Sequence, residues 1–268
     1  MKRYIFPIVL LLSLSFVFSC KTKSVDEENR IVQIETDFGK IRILLYNETP
    51  LHRDNFISNI EKGIYNGTTF HRVIESFMIQ GGNPETRKDN SDIEFDKRKT
   101  IEAEIVPSLY HKYGALAAAR LPDNINPNRE SSAYQFYISV GATFKHDELN
   151  ILALNKNERL KSAIANNVIM DQANKLIDKK INPNFNQIYL ELKDSIDFLL
   201  SKYKDFEFTS EQIETYSTVG GTPHLDGEYT VFGEVIEGMD VVDKIINVQT
   251  GQADKPLQDI RMNVKIIK

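Results

Sequence analysis

The sequence predicts a mainly β protein, built as a closed antiparallel barrel that is capped by two helices and carries a helical hairpin inserted into one barrel loop. Three observations lead to this fold. Alternating polar and apolar runs stand at both ends of the predicted domain, over 31–36 and 260–267. Turn residues separate neighbouring runs, and helical spacing of apolar residues is confined to a few segments. A closed barrel suits such strands because closure leaves no sheet edge exposed.

The first part of the domain is a hairpin followed by a helix. Residues 31–46 form two alternating runs around Asp37-Phe38-Gly39, where the glycine can adopt the positive φ of a tight turn. Thr49 can cap the helix that follows, Pro50 suits its first turn, and Gly63 ends it. The inner stripe of this helix is Phe56, Ile57 and Ile60.

Residues 70–83 predict two short strands joined by a tight corner near Glu75-Ser76. On a regular strand, Arg72 shares a face with Phe70 and Ile74. A guanidinium on an apolar wall is costly to desolvate unless a partner or a ligand satisfies its donors. The pattern therefore fits either an arginine that reaches the rim or pairs with a carboxylate, or a cation that faces a ligand in an apolar cleft.

Two later segments are also predicted strands. The run 114–120 is rich in alanine and its intrinsic propensity favours a helix, but the glycine that opens it and the proline just after it favour a strand. Residues 133–140 alternate clearly, which places Gln135 and Tyr137 on the face opposite Phe136. Further along, Asp226-Gly227 is a turn by its own chemistry. A second capping helix is expected over 239–246.

Residues 145–215 interrupt the barrel pattern with two helical runs. Asn182-Pro183 separates them and suits the start of the second helix. The apolar positions of the runs are Leu160, Ile164 and Val168, then Ile188, Leu192, Ile196, Leu199 and Tyr203. Two interpretations are open: the apolar stripes pack on each other and on the barrel, or the hairpin is an arm that binds clients or a partner. In the second case the candidate contacts are Phe185, Tyr189 and Phe198.

The N-terminus is separable from the fold. A basic start precedes an apolar run over 4–18, which is too short to span a bilayer comfortably, and the only cysteine follows where a signal peptide would be cut. The residues before Cys20 resemble a lipobox, although the bulky Phe18 departs from the usual pattern. We expect a lipoprotein signal peptide over 1–19, acylation of Cys20 and a polar tether over 20–30, whose acidic run could also be a sorting signal. A plain secretory signal is the alternative.

Composition excludes one class of partner. The chain has 268 residues, of which 41% are hydrophobic, and a net charge of -5. An anionic surface repels phosphates, and no basic stripe with interleaved aromatic residues is present, so we expect no nucleic-acid partner. The length allows one large domain or two small ones.

Several motifs resemble one known family. Phe-His-Arg-Val-Ile over 70–74, with Phe-Met-Ile-Gln-Gly-Gly over 77–82, resembles the signature of the cyclophilin family of peptidyl-prolyl cis/trans isomerases. Residues 134–138 resemble the family's Ser-Gln-Phe-Phe-Ile, with matches at Gln135 and Phe136. Residues 225–233 resemble its Leu-Asp-Gly turn followed by Val-Phe-Gly. The resemblance covers roughly 31–144 and 216–268 and implies an eight-stranded barrel.

The resemblance also implies a site. Arg72 would be catalytic, because its fixed donors can stabilise the prolyl nitrogen of a twisted amide, whose lone pair becomes an acceptor. The proline socket would be formed by Phe77, Met78, Phe136 and Leu225, the substrate backbone would be held by Gln80 and Gln135, and the neighbouring groove would be bounded by Ala119 and Arg120. The remaining substrate-binding positions are His71, His224 and Tyr229.

Two of these positions depart from the family pattern. Animal members often carry His where this chain has Tyr229, and Trp where it has His224. Tyr229 keeps a ring and a polar tip, so activity should survive. His224 puts tight binding of cyclosporin-type macrocycles in doubt.

No metal or cofactor is expected. His71 and Glu75 lie on one predicted strand segment, where four residues span about 13 Å, and no second histidine is close in sequence. The chain has neither a serine-centred nucleophile elbow nor a glycine-rich phosphate loop.

The sequence therefore predicts an exported peptidyl-prolyl isomerase, anchored through Cys20 in the cell envelope of a Gram-negative bacterium, at the periplasmic or outer membrane. It would assist the folding of proline-containing unfolded or maturing polypeptides without a covalent intermediate. The rival hypothesis is a chaperone or scaffold that holds clients on the 145–215 insertion and whose isomerase site is vestigial. The joint presence of Arg72, Gln80 and Gln135 favours the enzyme.

Overall fold

The computed structural model describes residues 30–89 and 94–268. The predicted signal peptide over 1–19, the lipidation site Cys20 and all but the last residue of the tether over 20–30 lie outside the described residues. The first strand begins at Arg30, one residue earlier than the sequence predicts.

The described residues form nine strands and five α-helices in chain order. The strands are β1 (Arg30–Thr36), β2 (Gly39–Leu45), β3 (Thr68–Ile74), β4 (Met78–Gly81), β5 (Thr100–Ile101), β6 (Ala115–Arg120), β7 (Ser131–Ser139), β8 (Val231–Glu237) and β9 (Ile260–Ile266). The helices are α1 (Pro50–Glu61), α2 (His146–Asp178), α3 (Phe185–Lys202), α4 (Ser210–Thr218) and α5 (Met239–Ile246). Single turns of 3-10 helix lie at Pro84–Thr86, Pro223–Leu225 and Gln252–Asp254.

Eight of the strands close into an antiparallel barrel, as the sequence predicts. The order around the barrel is β4, β3, β9, β1, β2, β8, β6 and β7, and a further pairing of β4 with β7 completes the circle. The two-residue strand β5 pairs with the start of β7, beyond the part that β4 reaches. Its pairing extends the barrel wall at Ser131 and Ser132 and was not predicted.

The two predicted capping helices, α1 and α5, are confirmed. Phe56 and Ile60 of α1 are buried in the barrel core, as are Val242 and Ile245 of α5. Thr49 is the residue before α1 as predicted, but its hydroxyl makes no capping hydrogen bond and is buried without a partner. The Glu104 carboxylate instead accepts hydrogen bonds from the Leu51 and His52 amides at this end of the helix, whose first residue is Pro50.

The alanine-rich run forms strand β6, against its intrinsic helix propensity. β6 pairs with β7 on one side and with β8 on the other. A position between two strands satisfies the backbone on both sides, and small side chains allow other groups to pack closely on the strand. Tertiary pairing thus decides the conformation of this segment.

A bulge corrects the predicted face of Arg72. Phe70 of β3 pairs with Gly81, but Arg72 pairs with Gln80, so His71 is an extra residue in β3. An extra residue shifts the alternation by one position. Phe70 therefore points into the barrel core, and Arg72 lies on the outer face with Ile74 but not with Phe70.

The insertion between β7 and β8 contains the predicted hairpin, made by α2 and α3, and a third helix, α4, that was not predicted. α2 has 33 residues and is about 50 Å long. Ile188 and Ile196 of α3 are buried as the stripe predicts, whereas Leu199 is 42% exposed. Asn184, not Asn182, caps α3 by accepting a hydrogen bond from the Gln187 amide. The base of α2 contacts the turn at Pro223–Leu225.

Candidate active site

A second apolar cluster lies on the outer face of the barrel, where β4, β6, β7 and β8 adjoin. Alternation along these strands sends Ile79, Leu116, Ala118, Phe136 and Phe232 into the barrel core. The intervening residues Met78, Ala115, Ala117, Tyr137 and Val231 point outwards and are buried together. The partly buried residues Phe77, Ala119, Leu225 and Tyr229 are among those at its border. We call these nine residues the outer cluster.

Phe136 was predicted to line this site, and that prediction is wrong. Phe136 is 1% exposed and packs edge-on against Phe56 and Tyr65 inside the barrel. The next residue, Tyr137, takes the outward position in the outer cluster. Gln135 and Tyr137 share a face of the strand, so the alternation of β7 already indicates that Tyr137, and not Phe136, lies on the side of the site.

The border of the outer cluster is made mainly by the corner after β3 and by residues 223–229, which we call the rim loop. Phe77 stands at the corner, and its ring lies 5.4 Å from that of His224 on the rim loop. Burial and the nearby His111 lower the pKa of His224 below its usual value. Leu225 and Tyr229 of the rim loop complete the border. Four predicted site residues therefore meet at the outer cluster with Met78.

Arg72 lies beside Gln80 across the β3–β4 ladder, on the same outer face. Its side chain is 42% exposed, and its Nε donates to Asp254 Oδ2 at 3.3 Å. Asp254 follows Ala253 in a 3-10 turn, and both have positive φ. This carboxylate was not predicted as part of the site. No local pattern in the sequence signals it, because 182 residues separate it from Arg72.

The two glutamines of the site contact each other. Gln80 Nε2 donates to Gln135 Oε1 at 3.0 Å, joining β4 to β7. His71 lies next to them, and burial is the main cause that lowers its pKa, while a hydrogen bond with the Gln135 side chain opposes the shift. The structure thus brings Arg72, His71, Gln80 and Gln135 to one surface.

Ala119 and Arg120 line a cleft of about 480 Å³ together with Gln80 and Gln135. The Arg120 side chain is 3% exposed, and its charge is engaged by Asp123 at 2.6 Å. Its guanidinium carbon also lies 4.4 Å from the centroid of the Tyr229 ring. Arg120 therefore packs against the rim loop through Tyr229 while it forms part of the cleft wall.

A buried polar network that the sequence did not predict lies behind the outer cluster. Asp226 Oδ1 accepts hydrogen bonds from the backbone amide of His111 at 2.8 Å and from its Nδ1 at 2.9 Å. The other carboxylate oxygen, Oδ2, accepts from the Tyr216 hydroxyl at 2.6 Å. His111 Nδ1 faces this carboxylate, and its Nε2 lies 2.9 Å from the Tyr137 hydroxyl; in the tautomer with the hydrogen on Nδ1, Nε2 accepts from that hydroxyl. Burial raises the pKa of Tyr137 well above its usual value. Its hydroxyl therefore remains a donor.

Among residues 30–89 and 94–268, no group of three or more His, Cys, Asp or Glu side chains is placed to hold a metal ion. Within the same described ranges, no helix is both long and apolar enough to cross a membrane.

A family model describes this arrangement. The model of the cyclophilin type peptidyl-prolyl cis-trans isomerases matches residues 31–159 and 156–266, which together make up most of the chain. The chain belongs to this family, and it is a peptidyl-prolyl cis-trans isomerase of the cyclophilin type.

Curated bacterial relatives are named for the same activity. A peptidyl-prolyl cis-trans isomerase of Staphylococcus saprophyticus is 28% identical over 220 residues, which cover 82% of this chain and 82% of the relative. One from Staphylococcus aureus is 27% identical over 239 residues, covering 89% of this chain and 91% of the relative.

Solved structures share the fold. The crystal structure of a cyclophilin type isomerase of Cryptosporidium parvum matches with a TM-score of 0.53 at 20% identity and covers 90% of this chain and 98% of its own. The structure of that protein in the presence of the dipeptide Ala-Pro matches with a TM-score of 0.51, covering 89% and 99%.

Proposed function

We propose that this isomerase accelerates rotation about X-Pro bonds by binding the twisted amide, with Arg72 as the catalytic residue and the outer cluster as the site of the proline ring. The planar amide resists rotation with a barrier of about 18–20 kcal/mol because the nitrogen lone pair is conjugated with the carbonyl. A site lowers this barrier when it binds the twisted form better than either planar form. No bond has to break, so no covalent intermediate is required.

The observation that carries the proposal is the position of a half-exposed guanidinium next to an apolar cluster. Within the described residues, the Arg72 side chain makes one hydrogen bond, from Nε to Asp254 at 3.3 Å, whereas Arg120 is buried among protein partners. An arginine carries five donors, so the NH₂ groups of Arg72 can reach a ligand while Nε keeps its carboxylate. When the proline ring covers the outer cluster and excludes water, a hydrogen bond from this guanidinium to the prolyl nitrogen becomes stronger.

The side chains around Arg72 support the same reaction. Gln80 and Gln135 carry amide donors and acceptors on the surface beside Arg72, which suits hydrogen bonding to the backbone of an extended substrate. The substrate must be held by its flanking residues if the ring is to stay in place while the amide rotates.

A protease-free isomerisation assay on a proline tetrapeptide tests this role. The protein from residue 21 onwards should turn over the peptide, and Arg72→Ala should lower kcat/KM by about 10²–10³-fold, the loss typical of removing one preorganised donor. Arg42→Ala is the matched control, since Arg42 is 45% exposed and paired with Glu237, and it should leave kcat/KM unchanged. An Arg72→Ala protein that turns over at the unmutated rate would refute the assignment.

We further propose that the protein acts on unfolded or maturing polypeptides at the cell envelope and is anchored by acylation of Cys20. The support is the apolar run over 4–18, followed by the only cysteine of the chain. Labelling of the full chain with a palmitate analogue in a bacterial host should give a labelled protein in the membrane fraction. Cys20→Ser should lose both the label and the membrane fraction, and unchanged labelling would contradict the proposal.

A second candidate function is the holding of clients on the hairpin. Phe185, Tyr189 and Phe198 are 49%, 43% and 61% exposed, and Ile177 and Ile181 near the α2–α3 connection are 54% and 52% exposed. Exposed apolar groups concentrated in one segment are typical of binding surfaces.

Suppression of aggregation of a denatured protein tests this second function. Phe185→Ser combined with Tyr189→Ser should weaken suppression and leave peptide turnover intact. Ile236→Ser, at a barrel residue that is 49% exposed, is the control. Arg72→Ala should have the opposite pattern, with lost turnover and normal suppression. Equal suppression by all variants would argue against a client-holding role.

A further inference from the structure

Lys156 of α2 is a buried lysine that reaches out of the insertion to the rim loop. It is 8% exposed, its Nζ lies 3.2 Å from Glu228 Oε1, and it donates to the carbonyl of Asp226. The ring of Phe206 covers it, with the centroid 4.6 Å from Nζ. A charge is expensive to bury unless it is paired, so this position requires its partners on the rim loop. Burial lowers the pKa of Lys156, and the Glu228 carboxylate opposes that shift.

The same loop is held by other groups of the insertion. Arg159, one turn further along α2, pairs with the same carboxylate oxygen of Glu228. Tyr216 of α4 is fully buried and donates to Asp226 Oδ2 at 2.6 Å. The insertion therefore contacts both polar residues that stand between Leu225 and Tyr229.

These contacts converge on the wall of the outer cluster. Leu225 and Tyr229 border the cluster on either side of the held residues. His111 contacts Asp226 with one ring nitrogen and the hydroxyl of Tyr137 with the other, which links the rim loop to a residue of the cluster itself. A displacement of the rim loop would thus move the border residues Leu225 and Tyr229 and loosen the hold on Tyr137.

We propose that Lys156 is a positioning residue for the isomerase, which fixes the rim loop so that the outer cluster has the shape of a proline ring, and that the insertion is in this way a structural part of the substrate site. This inference rests on the proposed role of the outer cluster. Lys156 is too deeply buried to meet the reacting amide, so its effect is on substrate binding. The Arg72 side chain, on β3, is held by a separate contact to Asp254.

The test compares Lys156→Met with Lys161→Met in the protein from residue 21 onwards. Lys161 lies on the same helix and pairs with Asp205 at 2.6 Å, within the insertion and away from the rim loop. Lys156→Met should raise KM, and the Kd of a proline peptide measured by titration, by about tenfold, with kcat within about twofold. Lys161→Met should leave all three values unchanged. The measurements are made at a temperature where thermal unfolding shows both variants to be folded.

Glu228→Gln is the second variant, because it removes the pair from the side of the loop. It should also raise KM. The double variant with Lys156→Met should lose less substrate-binding free energy than the two single variants lose together. An unchanged KM and Kd in Lys156→Met, or an equal change in Lys161→Met, would overturn the inference. If Lys156→Met does not fold, an unchanged KM in Glu228→Gln overturns it. The proposed catalytic role fails separately, when Arg72→Ala retains turnover.

Discussion

Replacing Tyr137 by phenylalanine distinguishes the contribution of the apolar outer cluster from that of the polar network behind it. The substitution keeps the ring, which is 5% exposed, and removes only the hydroxyl that donates to His111 Nε2 at 2.9 Å. The family segment that β7 resembles has phenylalanine at this position. Peptide turnover should therefore stay within about threefold of the unmutated protein, because a ring of the same size still lines the proposed proline site.

Stability should fall, and the structure gives the size of the change. His111 is 0% exposed, and its Nδ1 is committed to Asp226, so water cannot easily replace the lost donor at Nε2. A buried acceptor left without a partner costs about 1–3 kcal/mol. For a chain of this size, 1 kcal/mol corresponds to about 2–4 °C in Tm, so Tm should fall by about 2–12 °C.

Urea unfolding and thermal unfolding of the protein from residue 21 onwards give the two measurements. Tyr113→Phe is the control, because the Tyr113 hydroxyl donates to Asp243 at 2.6 Å in a half-buried place where water can take over the bond. It should cost less than about 0.5 kcal/mol. If Tyr137→Phe unfolds at the same urea concentration as the unmutated protein, the hydroxyl does not satisfy His111 and the network is not a single unit.

Three further predictions concern other parts of the molecule. Gly141→Ala should destabilise the fold by about 3 kcal/mol or more in urea unfolding, because Gly141 has φ +63° and a Cβ there would lie 1.7 Å from the Gly221 carbonyl oxygen. The free energy of unfolding should decrease as pH falls from about 7 to 5. Burial holds the pKa of His52 below its usual 6.5, so the unfolded chain binds the proton at a higher pH than the folded protein does. A free energy of unfolding that stays constant over this pH range would contradict the prediction. Asp254→Asn should lower kcat/KM by about two- to fivefold, because the carboxylate orients the Arg72 guanidinium. The free energy of unfolding should change by less than about 0.5 kcal/mol, because this ion pair is nearly half-exposed. A loss of stability without a kinetic effect would refute this role.

The sequence predicted the parts of the fold that depend on local patterns. Hairpins, both capping helices and the clear strand over 133–140 follow from alternation, helical spacing and turn residues, and the structure confirms them. The site was predicted mainly through motifs, and the structure brings Arg72, Gln80 and Gln135 to one surface next to Met78. The helix α4 was missed because its nine residues have few apolar positions, and its buried Tyr216 binds a carboxylate.

Where sequence reasoning failed, the deciding factor was pairing between distant segments. The bulge at His71 exists only in the ladder with β4, and it separates the faces of Phe70 and Arg72 that strict alternation would join. A resemblance between motifs does not say which of two adjacent aromatic residues points outwards, and Phe136 was chosen where Tyr137 stands.

The sequence by itself thus determined most of the strands and helices, though not β5 or α4, and which family the chain resembles, because these properties lie in side-chain patterns over a few residues. Only the tertiary structure decided how the insertion meets the site. Lys156, Tyr216 and His111 each lie at least ten residues from Asp226 along the chain, at separations of 70, 10 and 115 residues. Their polar groups find partners only when the folded chain excludes water from the space between them, and no pattern in the sequence describes that space.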